Sequence, residues 1–149
     1  MKGGTILLVE DDPDDEQLTL RALKKSNIKN KVEVAHDGVE ALDYLLGRGA
    51  YEGRDLSDLP AVVLMDINLP KLDGLEVVKR LRADGRTKLV PIVMLTSSSE
   101  EEDIIKSYKL GANSYVRKPV DFAEFLEAVR ILGIFWLMTN QPPPEHHTA

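Results

Sequence analysis

The chain has 149 residues, 43% of them hydrophobic and 30% charged, which suits one domain with a buried core. Its formal net charge of −6 argues against general nucleic-acid binding, which needs basic patches to neutralise phosphates. It has no cysteine, so disulfides, thiol chemistry and cysteine-based zinc sites are excluded, and a reducing compartment suits it. The opening MKGGTILLVEDD meets charge too soon for a signal peptide. No apolar run approaches the roughly 20 residues needed to cross a bilayer, so the expectation is a soluble, cytoplasmic domain.

Thr5–Val9 (TILLV) is a nearly continuous apolar run, the pattern of a strand buried on both faces. Asp12 followed by Pro13 pairs an N-cap residue with a first-turn proline, and predicts a helix running to about Ser26 and ending near Asn27. Lys31–Ala35 (KVEVA) alternates as a second strand, and Gly38–Leu46 sets Ala41, Leu42, Leu45 and Leu46 at helical spacing. Arg48–Leu59 reads as a polar loop. Ala61–Met65 (AVVLM) is a third strand. Asp73 and Glu76 then have capping-box spacing at the head of a helix with Leu75, Val78 and Leu81 on one face. Ile92–Leu95 (IVML) is the fourth strand, followed by a helix over Ser99–Leu110 that Gly111 closes. Ser114–Val116 (SYV) is the fifth strand. A last helix begins at Asp121 and turns Phe122, Phe125, Leu126 and Val129 inward. Residues 1–139 make one domain in this reading, and Asn140–Ala149 (NQPPPEHHTA) is a Pro-rich tail expected to be disordered.

Five strands alternating with five helices imply right-handed crossovers and an α/β, doubly wound parallel sheet. The common five-stranded, flavodoxin-like order is 2-1-3-4-5, and its crevice lies at the carboxyl ends of strands 1 and 3. Strand 1 runs into Glu10, Asp11 and Asp12, and strand 3 ends in Asp66, so carboxylates converge there. Like charges this close call for a cation or a proton between them. An all-oxygen set without His or Cys suits a hard cation, and few protein ligands with room for water favour Mg²⁺ over Ca²⁺. Strand 4 delivers Thr96 and Ser97 to the same crevice, and strand 5 leads to Lys118-Pro119, a bond with a raised chance of being cis. A carboxylate nucleophile, a metal and donors for phosphoryl oxygens together make a phosphoryl site. Taken singly, each residue has a plainer role as a turn, cap or surface residue; four such features at one switch point do not.

The pieces ILLVEDD, VVLMDINLPKLDG, PIVMLTS and GANSYVRKP resemble the receiver domains of bacterial response regulators, over about residues 5–130. The resemblance implies that a sensor histidine kinase, or a small phosphodonor, phosphorylates Asp66. It implies magnesium ligands at Asp11, Asp66 and the backbone carbonyl of Asn68, with Glu10 acting through metal-bound water and Asp12 left to cap the helix. Thr96 matches the family's switch hydroxyl, Lys118 the lysine that pairs with the acyl phosphate, and Tyr115 the aromatic that swings inward. Asn68 and Ser98 fall where family members tune phosphoryl lifetime. Phosphorylation then adds charge beside a two-state threonine–aromatic element and alters the surface around helix 4, strand 5 and helix 5.

After Val129 too few residues remain for a DNA-binding module, so no direct DNA contact is expected. Ile131, Leu132, Ile134, Phe135, Trp136, Leu137 and Met138 are apolar on nearly every side of the last helix, more than one buried face can use. This ending, with the long loop after helix 2, resembles the single-domain regulators associated with bacterial phytochromes. The resemblance implies a bacteriophytochrome-type kinase as partner and a homodimer, with Phe135, Trp136 and Ile131 as interface candidates. Two rival readings fit less well. An aspartate-dependent phosphohydrolase would resemble a pattern with a second Asp two positions after the nucleophile, where this chain has Asn68. A degenerate binding module would lack the acceptor Asp, the acidic pair or the lysine, and all are present.

Overall fold

The computed structural model describes residues 4–118 and 121–141. Strands β1 (Ile6–Val9), β2 (Val32–Ala35), β3 (Val62–Met65), β4 (Ile92–Thr96) and β5 (Ser114–Arg117) alternate with α1 (Pro13–Lys25), α2 (Gly38–Leu46), α3 (Gly74–Ala83), α4 (Glu101–Leu110) and α5 (Phe122–Gly133). The strands form one parallel sheet in the order β2-β1-β3-β4-β5, as the alternation predicts. Alternate strand residues serve separate cores. Leu7, Val9, Val63, Met65, Ile92 and Met94 face α2 and α3, where Leu42, Leu45, Val77 and Leu81 meet them. Ile6, Leu8, Val62, Leu64, Val93 and Leu95 face α1 and α5, through Ala22, Leu23, Phe125 and Val129. Burial on both faces explains the continuous apolar runs of β1, β3 and β4. The edge strand β2 is only half-buried over most of its length, hence its alternation.

Side-chain caps fix where the helices begin. The carboxylates of Asp12, Asp37, Asp73 and Asp121 accept from the backbone N–H groups of Asp14, Glu40, Glu76 and Ala123. The capping box at Asp73 is one-sided, because the Glu76 carboxylate turns instead to Arg80, 3.1 Å away. α4 starts at Glu101 rather than near Ser99, since the Ser98 hydroxyl donates to Asp103 (2.7 Å) and holds the preceding residues in a loop. Gly111 ends α4 with φ 111°, a left-handed conformation that glycine adopts without strain.

The polar loop Arg48–Leu59 is anchored rather than loose. It contains a 3-10 turn (Gly49–Tyr51), and the Arg54 guanidinium lies over the Tyr44 ring at 4.2 Å while donating to the Tyr44 carbonyl. After α5 the chain continues as a π-helical stretch, Ile134–Thr139, which separates the interface candidates. Ile131 and Phe135 are exposed, together with Ile134 and Met138. Trp136 is half-buried against the α1/α5 core, its ring edge-on to Phe135 at 4.9 Å. Pro119, on which the cis reading depends, lies outside the described residues, as does the expected tail from residue 142 onward. No helix among the described residues is long and apolar enough to cross a membrane.

Candidate functional site

The parallel register sets Val9 level with Met65, so the next residues, Glu10 and Asp66, leave the sheet side by side. Asp66 is held by its surroundings: its backbone N–H donates to the Val9 carbonyl, and the Asn68 N–H reaches its Oδ1 (3.2 Å). Gly74, at the start of α3, lies so close that a Cβ there would stand 2.2 Å from the Asp66 carbonyl oxygen. The turn between β3 and α3 bends through Lys71 at φ 66°, closed by a Leu72 N–H donating to the Pro70 carbonyl at 2.7 Å.

β4 brings Thr96 to the same point. It is fully buried, and its hydroxyl donates to Asp66 Oδ1 at 2.8 Å. β5 brings Lys118, whose backbone N–H donates to the Thr96 carbonyl, fixing where its side chain starts. The ammonium lies 2.6 Å from Glu10 Oε1, 3.1 Å from Asp15 Oδ2 and 3.2 Å from Asp66 Oδ2. Burial alone would lower the Lys118 pKa, but the Glu10 hydrogen bond and the charges of Asp66 and Glu10 push it above the ordinary lysine range. Burial raises the Glu10 pKa above the usual carboxylate value, against the pull of Lys118. The site is therefore short of positive charge, with one ammonium facing three carboxylates.

Of the residues expected at the site, the structure joins Glu10, Asp66, Thr96 and Lys118 directly. Asp11 and Ser97 are exposed at the rim, and no hydrogen bond among the described residues ties either to the cluster. Ser98, rather than Ser97, carries the network outward. Tyr115 is half-buried and its hydroxyl donates to the Ser98 carbonyl at 2.8 Å, while Ser98 Oγ donates to Asp103. Asp15 was not anticipated. It stands four residues before Thr19, which is fully buried on the sheet-facing stripe of α1, and so shares that face of the helix.

No group of three or more carboxylate or imidazole side chains is arranged around a common cation position among the described residues. The expected magnesium set needs fewer, since it combines two side chains, one carbonyl and water. The donor chemistry fits: the oxygens are hard and the cluster carries excess negative charge. The Asn68 carbonyl also accepts no backbone hydrogen bond among the described residues.

The family model described as the response regulator receiver domain matches residues 6–130. The chain belongs to the response regulator receiver family. Among its relatives, Response regulator Rcp1 of Synechocystis sp. is 38% identical over 138 residues, spanning 93% of this chain and 92% of that protein. This receiver is also similar in structure to the Mn²⁺-bound form of Rcp1, with a TM-score of 0.85 at 36% identity over 95% of this chain and 99% of that one. The phosphorylated cyanobacterial phytochrome response regulator RcpA matches with a TM-score of 0.87 and 36% identity, over 95% of this chain and 99% of that one. The bacteriophytochrome response regulator RtBRR is 50% identical with a TM-score of 0.76, covering 96% of this chain and 86% of that one. The receiver's similarity thus runs to phytochrome-associated regulators of two-component systems, as the apolar ending and the long loop led one to expect.

Proposed function

We propose that Asp66 is the phosphoacceptor of this receiver and that a sensor histidine kinase, of the bacteriophytochrome type, is its donor. The observation that carries this reading is the convergence of the Thr96 hydroxyl and the Lys118 ammonium on the two oxygens of the Asp66 carboxylate. In the transfer, an Asp66 oxygen bonds to phosphorus as the phosphorus–nitrogen bond of the donor histidine breaks. The imidazole leaves with the electron pair. Lys118 and Thr96 are donors held beside the Asp66 carboxylate, close to where charge gathers on the phosphoryl oxygens, and they exchange carboxylate for phosphoryl oxygens as the new bond forms. Asp11, Asp66 and the Asn68 carbonyl would hold Mg²⁺, with Glu10 through water, and the cation supplies the positive charge that this site lacks. The protein promotes only its own phosphorylation and dephosphorylation.

Output follows from the same contacts. Phosphorylation changes what Thr96 bonds to, and the Ser98–Tyr115 and Ser98–Asp103 hydrogen bonds lead from its loop to β5 and α4. That route supports the α4-β5-α5 surface as the part a partner or a relay protein reads. The exposed strip of Ile131, Ile134, Phe135 and Met138 supports a homodimer.

The decisive experiment is the intact mass after incubation with Mg²⁺ and acetyl phosphate, beside Asp66→Asn. One phosphoryl adduct is expected on the native protein, lost with EDTA and absent from the variant. An adduct that persists in Asp66→Asn would move the acceptor elsewhere. For assembly, Phe135→Glu should convert a dimer to a monomer in light scattering, and a native monomer at high concentration would remove that part of the reading.

A further inference from the structure

An ammonium has three N–H donors, and in this receiver all three of Lys118's are taken by carboxylates. A phosphoryl oxygen that is to bind Lys118 must displace one of them. The three partners are not equivalent. The Glu10 and Asp66 side chains are 3% and 10% exposed, whereas that of Asp15 is 39% exposed. An ion pair open to solvent is the weakest of such contacts and the one most readily exchanged for water. Asp15 also comes from a different element. It stands on the first turn of α1, while Glu10 and Asp66 extend the sheet. The chemistry fixed at the strand ends can therefore proceed without it.

We propose that Asp15 is a positioning residue that occupies the third donor of Lys118 until a phosphoryl group displaces it. This rests on Asp66 being the acceptor. Asp15 thereby competes with the phosphoryl oxygens for Lys118 and adds a like charge beside them, so both effects set the phosphorylated state against the free one. Removing the Asp15 charge should favour the phosphoryl-bound form.

Beryllium fluoride with Mg²⁺ serves as the phosphoryl mimic, and its affinity is compared in the native chain, Asp15→Asn, Asp15→Ser, Asp15→Glu and Asp14→Asn. Asp14 neighbours Asp15 in the first turn of α1 but makes no contact with Lys118 among the described residues, so its variant carries the same charge change without the contact. Asp15→Asn and Asp15→Ser should bind the mimic about 3- to 10-fold more tightly, with Asp14→Asn within about twofold of native and Asp15→Glu restoring native affinity. In metal-free protein, nitrogen-15 NMR should show the Lys118 ammonium protons exchanging several-fold faster in Asp15→Asn, a change that general loosening of α1 would spread to its backbone amides. Equal tightening in Asp14→Asn and Asp15→Asn would reduce the effect to bulk charge and overturn the proposal. So would unchanged affinity in both neutral Asp15 variants. A native chain that binds no mimic at all takes down the Asp66 reading as well, and so is told apart from failure of the Asp15 inference alone.

Discussion

Two cations hold opposite ends of this sheet, and they are built differently. Lys118, at the carboxyl ends of the strands, is surrounded by the charged oxygens of Glu10, Asp15 and Asp66. Arg82, at the end of α3, donates to the backbone carbonyls of Gly111 (2.9 Å) and Lys88 (3.0 Å) and to Asn113 Oδ1 (2.9 Å). Asn113 in turn accepts from the Ile92 N–H at 2.7 Å, so the guanidinium stitches the starts of β4 and β5 to α3. Burial lowers the Arg82 pKa, and no carboxylate opposes that shift, whereas at Lys118 nearby carboxylates overcome it. The Arg82 partners are neutral: two are backbone carbonyls and the third, Asn113 Oδ1, is held by the Ile92 N–H, so none of them competes as a charge. The Lys118 partners are charged side chains that compete for one ion. A half-buried cation is a clip in the first setting and a shared charge in the second.

Breaking the clip should cost the most. Arg82→Ala strands several acceptors at once and should destabilise the fold by about 3 kcal/mol in urea titrations. The fraction of folded protein that takes a phosphoryl group should stay unchanged. A large loss of acceptor competence at full folding would erase the distinction between the two ends.

The site should respond in the opposite sense. Because burial raises the Glu10 pKa, the ionised form is disfavoured in the folded state. Its contribution to stability is greatest at low pH and declines as the pH rises above the ordinary carboxylate range. Glu10→Gln removes that penalty, so at pH 7 and without metal it should raise stability by about 1 kcal/mol, the usual scale for relieving strain at a functional site. The same variant should phosphorylate more slowly with acetyl phosphate. A destabilised Glu10→Gln would mean that the pairing with Lys118 outweighs burial.

Asp103→Asn weakens the hydrogen bond from Ser98 and should cost about 0.5 kcal/mol. Its sharper readout is a shifted Tyr115 ring signal in NMR, because the Tyr115 hydroxyl rests on the Ser98 carbonyl.

The smallest effect belongs to Asp84, at the end of α3, whose pKa falls to about 2 through its hydrogen bonds with Arg86. A depressed carboxylate stabilises above its unfolded value and loses that contribution as pH falls from about 4 towards 2. Asp84→Asn should therefore lower the melting temperature at pH 6 by no more than about 1 °C, since the pair faces solvent, and by less at pH 3.

The sheet order and the Asp66–Thr96–Lys118 constellation were legible in the sequence because both follow from position along strands. A residue just past a buried strand has its place fixed by the register. What the sequence hid were contacts made by side chains crossing between elements. Asp15 lies on a helix whose first turn is rich in acids, and composition alone cannot say which of them faces inward. The segment after α2 read only as a polar loop, because nothing in its pattern announces that Arg54 would stack on Tyr44. At the end of β4, Ser97 and Ser98 are chemically identical, and only the backbone direction after Thr96 decides that Ser98 meets Asp103 while Ser97 faces solvent. In the apolar ending, the helical phase shifts at Ile134, which turns Trp136 partly into the core.

The close approach at Gly74 means that the position of Asp66 depends on an atom the chain does not have. Any side chain at position 74 would press on the carbonyl of Asp66 itself, so its cost would fall on the geometry of the site as well as on folding. A residue with no functional group thus sets a tolerance for the chemistry, and a search restricted to heteroatom-bearing side chains would pass over it.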